Sequence, residues 1–416
     1  MPDALPPSPF APPTSPPLPE IAGMHMFAAE TGARYIGRPD FMLAEFSEKA
    51  RVAGVFTTSK MPSAPVDLSR LNLKSGGGRI RGLAVNAGNA NAFTGAAGAR
   101  AAMRTARSLA KRLSCSEQEI FIASTGVIGE TLDPAPLVSA IKAASFDVAQ
   151  ASDWSGAAQA IITTDTFAKG ATRTAKIGKQ SVRINAVAKG SGMIAPDMAT
   201  MLAFVFTDAA IPAHLLRAML NEATHKSFNA ITVDGDTSTN DTVLAFAAGD
   251  PVAPSCHAKL EEGLTLVAQH LARAIARDGE GATCLIEVQV EGASTEAGAL
   301  KIARTICSSS LVKTAVHGRD PNWGRIVAAA GRSGVVFDAD AVALWIGPHQ
   351  LMAAGQPLAF DRAAASAYLS ERAYGRYLVE DSVQIRLAVG SGAGEGTAWG
   401  CDLSDQYVRI NADYTT

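Results

Sequence analysis

Short apolar runs that end in glycine or other small residues alternate along this chain with amphipathic, helix-like stretches. Residues 81–88 and 119–126 have the continuous apolar character of buried strands. Between them, residues 94–114 carry Arg and Lys on one side and Ala, Met and Leu on another, at helical spacing. Because buried strands of this kind need helices to cover their sheet, the alternation predicts a layered α/β sandwich in which helices cover sheets.

The same alternation continues through the rest of the chain, and its interruptions suggest domain limits. The proline-rich start predicts a disordered extension over residues 1–20. We expect an α/β catalytic domain over residues 21–295 and a smaller α/β domain over residues 296–416, because small polar residues separate two patterned blocks near residues 291–299. Further predicted helices cover residues 152–162, 211–227 and 257–279, and the Ser152-Asp153 start of the first suits a helix N-cap. Further strands cover residues 242–249, 282–292 and 382–390.

Composition and charge narrow the class of protein. Of the 416 residues, 47% are hydrophobic and 18% are charged, and the formal net charge is -2. A balanced charge gives neither nucleic acid nor an anionic membrane surface a strong field to follow. No stretch approaches the roughly 18–20 apolar residues of a membrane-spanning helix. The 5 cysteines are scattered without Cys-x-x-Cys or Cys/His zinc spacing, which predicts reduced thiols, a cytoplasmic location and no metal site.

One flexible loop leads directly into a buried strand. The segment KGSGMIAPDMATMLAFVF, residues 189–206, bends at its glycines and at Pro196 and becomes continuously apolar after Thr200. Thr200 has two interpretations at this point. A β-branched threonine suits the start of a strand. Alternatively, its hydroxyl attacks the carbonyl of the small Ala199, cuts the chain and frees an α-amine with a pKa near 8, so that nucleophile and base reside in one residue.

The predicted strand end Ser124-Thr125-Gly126 presents a hydroxyl next to an unhindered backbone N–H. Such a pair can stabilise a developing oxyanion, an effect of about 3–4 kcal/mol per good donor. A second strand-to-helix passage, residues 85–95, contains three asparagines. Their amides either cap a tight turn or face a ligand, and the sequence leaves both interpretations open.

Several motifs stand along the chain in a fixed order: AGVFTTSKMPSAPV (53–66), NAGNANAFTG (86–95), STGVIGE (124–130), TTDTFAK (163–169), SFNAITVDGDTSTNDT (227–242), DGEGAT (278–283), VKTAVHGRDPNWGRI (312–326) and YVRINADYTT (407–416). Together with the segment around Thr200, these motifs are similar to the ornithine acetyltransferase (glutamate N-acetyltransferase) family of arginine biosynthesis. The segment around Thr200 resembles the self-cleavage segment of that family, and the similarity extends over nearly the whole chain after the proline-rich start.

The resemblance implies a function for particular residues. It implies cleavage between Ala199 and Thr200, after which Thr200 is the catalytic nucleophile of a self-cleaving N-terminal-threonine enzyme. It also implies that Thr125 and Gly126 stabilise the oxyanion. The implied substrate contacts are Thr163 (with Thr164 as second choice), Lys189, Thr200, Glu280, Asn411 and Thr416.

The implied reaction moves the acetyl group of N2-acetyl-L-ornithine to L-glutamate through an acetyl-Thr200 intermediate, without a metal or an organic cofactor. Lys189 suits a substrate carboxylate and Glu280 suits a substrate ammonium group. The two chains produced by cleavage are implied to stay associated as an α2β2 heterotetramer, with small molecules rather than nucleic acid or membrane as partners. Whether acetyl-CoA is a second acetyl donor is left open.

Three residues depart from the resemblance, and two other functions remain as alternatives. Cys284 stands where lysine is expected, and His317 and Arg319 stand where small or apolar residues are expected, which puts the amino-acid specificity in question. One alternative is a self-processed N-terminal-threonine amidohydrolase or aminopeptidase, in which water replaces glutamate. The other is an uncleaved small-molecule binding protein in which Thr200 only packs.

Overall fold

A computed structural model describes residues 7–12, 14, 17–145, 151–177, 180–195, 201–373 and 382–413. The strands are β1 Met24–Ala29, β2 Phe41–Phe46, β3 Arg51–Phe56, β4 Gly82–Asn89, β5 Ile120–Val127, β6 Lys169–Ile177, β7 Gln180–Lys189, β8 Leu202–Ala210, β9 Ile231–Thr232, β10 Thr242–Pro251, β11 Leu285–Ala293, β12 Ala343–Ile346, β13 His349–Ala353, β14 Gln356–Pro357, β15 Ser382–Ala388 and β16 Gly394–Cys401. The α-helices are α1 Ala64–Ser75, α2 Gly95–Leu113, α3 Ala135–Ala143, α4 Trp154–Ala160, α5 Ala213–His225, α6 His257–Arg277, α7 Glu296–Cys307, α8 Ser310–His317, α9 Trp323–Gly331, α10 Arg362–Arg372 and α11 Asp405–Asp413.

The strands of the described residues form three sheets. A four-stranded sheet has the order β1-β2-β4-β5, a five-stranded sheet the order β3-β10-β8-β7-β6, and a seven-stranded sheet the order β14-β13-β12-β15-β11-β16-β9. Helices α2 and α3 cover the outer face of the four-stranded sheet. Helices α5 and α6 cover the five-stranded sheet, and α6 and α7 contact the seven-stranded sheet. Helices therefore cover sheets, and the predicted layered α/β fold is confirmed.

Two sheets pack face to face through an aromatic cluster. The cluster consists of Phe46 on β2, Trp154 on α4, Phe206 on β8 and Phe246 on β10. The ring centroids of Phe46 and Phe246 are 4.8 Å apart, and those of Phe206 and Phe246 are 4.9 Å apart. The Trp154 ring meets Phe206 edge-on at 5.3 Å. Since aromatic side chains bury large apolar areas, this cluster fixes the four-stranded sheet against the five-stranded sheet.

Strand β8 has both of its faces buried. Phe204 and Phe206 point into the core between the two sheets, whereas Ala203 and Val205 belong to the core beneath α5 and α6. Side chains alternate between the two faces of a strand, so a strand covered on both faces needs apolar residues at every position. This explains the unbroken apolar run that begins at Met201.

Side chains with oxygen atoms fix where several helices begin. The Asp153 carboxylate accepts from the N–H of Gly156 at the start of α4, as the Ser/Asp start of that stretch predicts. The Thr295 hydroxyl does the same at the start of α7. Asn322 and Asp361 cap α9 and α10 in this way.

The predicted domain limits stay a prediction, and two observations bear on the regions beside them. Strands β9 and β11, before residue 295, share the seven-stranded sheet with β12 to β16, after it. In the proline-rich start, Phe10 is fully buried, and the Pro19 carbonyl accepts from Asn185 Nδ2 at 2.6 Å. The part of the start that the structure describes thus contacts the fold.

A membrane-spanning helix is absent from the described residues: none of their helices combines the necessary length with the necessary apolar character.

Replacing Phe246 by alanine tests the role of the aromatic cluster. The Phe246 side chain is fully buried, and removing such a side chain costs about 3–5 kcal/mol in the free energy of unfolding. We expect Phe246→Ala to lower the thermal unfolding midpoint by several degrees. Leu71→Ala is the matched control, because Leu71 is 60% exposed. Equal midpoints for the two variants would contradict the role of the cluster.

Candidate active site

The candidate site lies at one edge of the five-stranded sheet, where three neighbouring strands meet. β7 ends at Lys189, which is paired with Leu202, the first residue of β8. Leu202 is in turn paired in parallel register with Thr242, the first residue of β10. The predicted cleavage residues Ala199 and Thr200 come shortly before β8 and lie outside the described residues. The structure therefore shows the surroundings of the point at which β8 begins.

A hydrogen bond joins this sheet edge to the four-stranded sheet. Lys189 Nζ donates to Thr125 Oγ1, on β5, at 3.0 Å. Both residues are 4% exposed. Because Thr125 Oγ1 accepts from the ammonium group, its own hydrogen is directed elsewhere and can be donated to another acceptor.

Gly126, the next residue of β5, occupies a position that other residues fit poorly. Its φ is 129°, and a Cβ at this position would lie 2.2 Å from the carbonyl carbon of Gly88. The close approach occurs where the pairing of β4 with β5 becomes irregular. Glycine is therefore required here.

The Lys189 ammonium group is surrounded by other charged groups. Burial lowers the pKa of Lys189, and the Lys169 ammonium group acts in the same direction. The carboxyl groups of Asp165, Glu280 and Asp241 act in the opposite direction on this pKa. Because burial disfavours the charged form of Lys189, an anionic group that enters the site would stabilise this ammonium group.

Glu280 and Asn411 are brought together from distant parts of the chain. Asn411 Nδ2, on α11, donates to Glu280 Oε2 at 2.8 Å. The Glu280 N–H donates to the Ser191 carbonyl at 2.9 Å, close to the end of β7. Burial raises the pKa of Glu280, and hydrogen bonds from the Asn411 and Thr164 side chains oppose that shift. These contacts hold the Glu280 carboxyl group beside the segment that follows Lys189.

The two threonines considered as substrate contacts have different surroundings. The Thr163 N–H donates to Asp165 Oδ2 at 3.1 Å. Thr164 Oγ1 lies 2.7 Å from Ser191 Oγ, and the Thr164 side chain acts to lower the pKa of Glu280. Thr164, the second choice, is therefore the threonine whose hydroxyl the structure brings to Glu280. The preference for Thr163 stays a prediction, and Thr416 lies outside the described residues.

A buried ion cluster, consisting of Asp165, Lys169 and Asp278, contacts the backbone next to Lys189. Lys169 Nζ is 2.7 Å from Asp165 Oδ1 and 2.5 Å from Asp278 Oδ2, and the three side chains are fully buried. Asp165 Oδ1 also accepts from the Gly190 N–H at 2.6 Å, which fixes the backbone directly after Lys189.

The two carboxyl groups of the ion cluster titrate differently. Burial raises the pKa of Asp165, but the ammonium groups of Lys169 and Lys189 outweigh this effect and lower it to about 2. Burial raises the pKa of Asp278 to about 6, although Lys169 opposes the shift. The two carboxyl groups thus differ in acidity, although both contact the same Lys169 ammonium group. The signal for this pair, Asp and Lys four residues apart, was present in the motif TTDTFAK.

Asp241 is a further site residue that the sequence analysis missed. It directly precedes β10 and is fully buried. Its Oδ1 accepts from the Met201 N–H at 2.9 Å, and its Oδ2 has no hydrogen-bond partner among the described residues. Burial raises the pKa of Asp241 well above its usual value. A carboxyl group thus contacts the first described residue after the predicted cleavage point.

The asparagines of residues 85–95 bond to the protein itself. The side-chain amides of Asn86, Asn89 and Asn91 donate to the carbonyls of Asn89, Glu130 and Gly98. The structure therefore favours turn capping for these amides.

The three residues that depart from the resemblance lie near one another. Arg319 Nη1 donates to Cys284 Sγ at 3.0 Å, and Arg319 Nη2 donates to Thr283 Oγ1 at 3.1 Å. His317 Nδ1 lies 2.8 Å from Asp402 Oδ2. Burial raises the pKa of Cys284 to about 12, so its thiol is neutral at ordinary pH. This cluster supports the chain just after Glu280.

The described residues contain no group of three or more His, Cys, Asp or Glu side chains arranged to hold a metal ion.

Comparisons with known proteins agree with one another. The family model described as "ArgJ family" matches residues 25–416. A relative from Parasynechococcus marenigrum, named "Arginine biosynthesis bifunctional protein ArgJ", is 55% identical over 95% of this chain and 94% of its own length. A relative of the same name from Bradyrhizobium diazoefficiens is 46% identical over 98% of both chains.

A solved structure of the arginine biosynthesis bifunctional protein argJ from Bacillus halodurans is 44% identical and has a TM-score of 0.47. The match covers 51% of this chain and 98% of that chain. Since the family model spans all but the start of the chain and the relatives align over nearly their whole length, this chain belongs to the ArgJ family.

Proposed function

We propose that this chain is an arginine biosynthesis enzyme that transfers the acetyl group of N2-acetyl-L-ornithine to L-glutamate. Its relatives are named arginine biosynthesis bifunctional proteins, and the relative from Parasynechococcus marenigrum is aligned over 94% of its own length. The observation that carries the chemistry is the bond from Lys189 to Thr125 at the sheet edge where β8 begins. It supports an oxyanion site beside the predicted nucleophile Thr200.

The first step of the proposal is self-cleavage. The Thr200 hydroxyl attacks the Ala199 carbonyl carbon and the peptide C–N bond breaks, which frees the α-amine of Thr200 and leaves Ala199 as an ester on Thr200 Oγ. Water then hydrolyses this ester, which releases the Ala199 carboxylate and restores the Thr200 hydroxyl. The start of β8 is held firmly for this step, because Met201 donates to Asp241 Oδ1 and accepts from the Thr242 N–H. A fixed nucleophile loses little entropy on reaching its carbonyl.

Acetyl transfer then follows the same chemistry. Thr200 Oγ attacks the acetyl carbonyl of N2-acetyl-L-ornithine, and its own α-amine takes the hydroxyl proton. The oxyanion accepts from the Thr125 hydroxyl and the Gly126 N–H. When the amide C–N bond breaks, ornithine leaves with that proton and the acetyl group remains as an ester on Thr200. The amine of glutamate attacks this ester, which yields N-acetylglutamate and restores the Thr200 hydroxyl.

Charged groups of the site select the substrates in this proposal. Lys189 binds a substrate carboxylate, and Glu280 binds a substrate ammonium group. Asn411 holds the Glu280 carboxyl group in place. Thr164 or Thr163 and the terminal Thr416 complete the substrate contacts. No step of this proposal uses a metal or an organic cofactor.

The fold supports association of the two chains after cleavage. β8 and β10 follow the predicted cleavage point, whereas β3, β6 and β7 precede it, and all five strands share one sheet. Because β8 lies between β7 and β10, the cleaved chains would remain hydrogen-bonded along their strands. We propose an α2β2 heterotetramer in the cytoplasm.

A requirement for glutamate tests the function. With wild-type enzyme and N2-acetyl-L-ornithine, we expect ornithine release to continue over many turnovers only when glutamate is present, together with an equal amount of N-acetylglutamate. Chromatography of the amino acids measures both products. Sustained release of ornithine and acetate without glutamate would instead identify an amidohydrolase.

Thr125→Ala tests the oxyanion site. Removing one oxyanion donor lowers kcat by about 10²- to 10³-fold, because the donor acts mainly in the transition state. We expect a smaller change in KM for acetylornithine, and Thr125→Ser, which keeps the hydroxyl, is the matched control. Steady-state kinetics on purified, fully cleaved protein separate kcat from KM. A Thr125→Ala enzyme with the kcat of Thr125→Ser would remove Thr125 from the mechanism.

A further inference from the structure

The N-terminal segment, defined as residues 7–12, precedes the residues that the family model matches and is anchored beside the candidate site. Phe10 is fully buried. The Ser8 N–H donates to Thr166 Oγ1 at 2.8 Å, and the Ser8 hydroxyl donates at 3.1 Å to the carbonyl of Arg277, the last residue of α6. The Ala11 N–H donates to the Ser8 carbonyl at 2.9 Å, so the segment turns at its point of contact.

A continuous set of polar contacts leads from this segment to the backbone beside Lys189. Thr166 donates both its N–H and its hydroxyl to the Asp278 carboxylate. Asp278 contacts Lys169, and Lys169 contacts Asp165. Asp165 accepts from the N–H of Gly190, the residue after Lys189. Every link of this path is a direct contact, and its last three side chains are fully buried.

The bond from Ser8 fixes the direction of the Thr166 hydroxyl. Because Thr166 Oγ1 accepts from the Ser8 N–H, its hydrogen is free for the bond to Asp278. Hydrogen bonds of this kind favour the ionised form of a carboxyl group that burial otherwise makes less acidic. The bond from Thr166 therefore helps to keep Asp278 in place against Lys169.

Exclusion of water gives the segment a second effect on the ion cluster. Interactions between charges weaken when water reaches them, because water screens them strongly. The buried Phe10 and the bonds of Ser8 place protein, rather than solvent, next to Thr166 and Arg277. Asp278 is also two residues before Glu280, so a displaced Asp278 shifts a predicted substrate contact.

We infer that the N-terminal segment is a positioning element of the active site, which acts through Thr166 and the ion cluster on Lys189 and Glu280. Its kinetic consequence rests on the proposed function. Small displacements of groups that orient a substrate can reduce the rate by about 10²-fold. Loss of the segment is therefore expected to lower kcat/KM for acetylornithine by about ten- to a hundredfold.

Truncation of the full chain tests this inference. A variant that lacks residues 2–12 is compared with a control that lacks only residues 2–6, which lie outside the described residues. We expect the longer deletion alone to lower kcat/KM, and a synthetic peptide of residues 2–17 to restore activity to it. The same peptide with Phe10→Ala is expected not to restore activity. Wild-type kinetics in the longer deletion would overturn the inference.

Substitutions of Thr166 in the full chain test the path itself. Thr166→Val removes the hydroxyl that links Ser8 to Asp278 at nearly constant shape, and Thr166→Ser keeps it. We expect only Thr166→Val to lower kcat/KM, and the deletion of residues 2–12 to add little to its effect. If the variant with both changes loses kcat/KM by the full product of the two separate losses, the path through Thr166 is overturned. If the longer deletion does not fold, this pair of substitutions still decides the question.

Hydrogen exchange provides a readout that does not depend on acetyl transfer. Peptides that contain the Gly190 N–H should exchange faster in the variant that lacks residues 2–12, or in Thr166→Val, than in the respective control. Unchanged exchange at Gly190 would overturn the inference even if the wild-type enzyme transfers acetyl groups. Faster exchange in a protein without transferase activity would support the path and refute only the proposed function.

Discussion

The pairing of β8 between β7 and β10 is the constraint on which the rest of the site depends. Both faces of β8 are buried, so a shift of one residue would move Phe204 and Phe206 out of the core between the two sheets, and its register is strongly fixed. That register sets Lys189 opposite Leu202 and Leu202 opposite Thr242. The start of β8 therefore lies between Lys189, the last residue of β7, and Asp241, the residue directly before β10.

Buried charges around this edge are arranged so that each stabilises the position of another. Lys169 lies between two carboxylates, and one of them, Asp165, also holds the Gly190 N–H. An isolated buried charge is very costly, whereas a paired one with its hydrogen bonds satisfied is tolerated. Lys189 differs from Lys169 in its partners: burial lowers the pKa of both lysines, but Asp165 and Asp278 raise that of Lys169 again, whereas the hydrogen bond of Lys189 is to the neutral hydroxyl of Thr125 and its pKa stays lowered. It is therefore the cation best suited to receive a substrate anion.

The sequence predicts the layers of the fold better than the contacts within the site. Apolar alternation and helix-start residues such as Asp153 are local signals, and they correctly predict strands, helices and their stacking. The approach of Asp278 to Lys169 joins residues 109 apart, and no local pattern reports it. The burial of Phe10 is unpredictable for the same reason. A proline-rich stretch predicts no helix or strand, and the site that Phe10 occupies is formed by residues distant in the sequence. The contact of Arg319 with Cys284 likewise appears only in three dimensions.

The acetyl-Thr200 intermediate can be observed by mass spectrometry of the enzyme after mixing with N2-acetyl-L-ornithine in the absence of glutamate. We expect a fragment that begins at Thr200 and carries one acetyl group on that residue, and loss of this group once glutamate is added. A Thr200→Ala chain treated in the same way should remain intact and unacetylated. An uncleaved wild-type chain, or a Thr200 fragment that stays unmodified while acetyl transfer proceeds, would show that Thr200 is not the nucleophile.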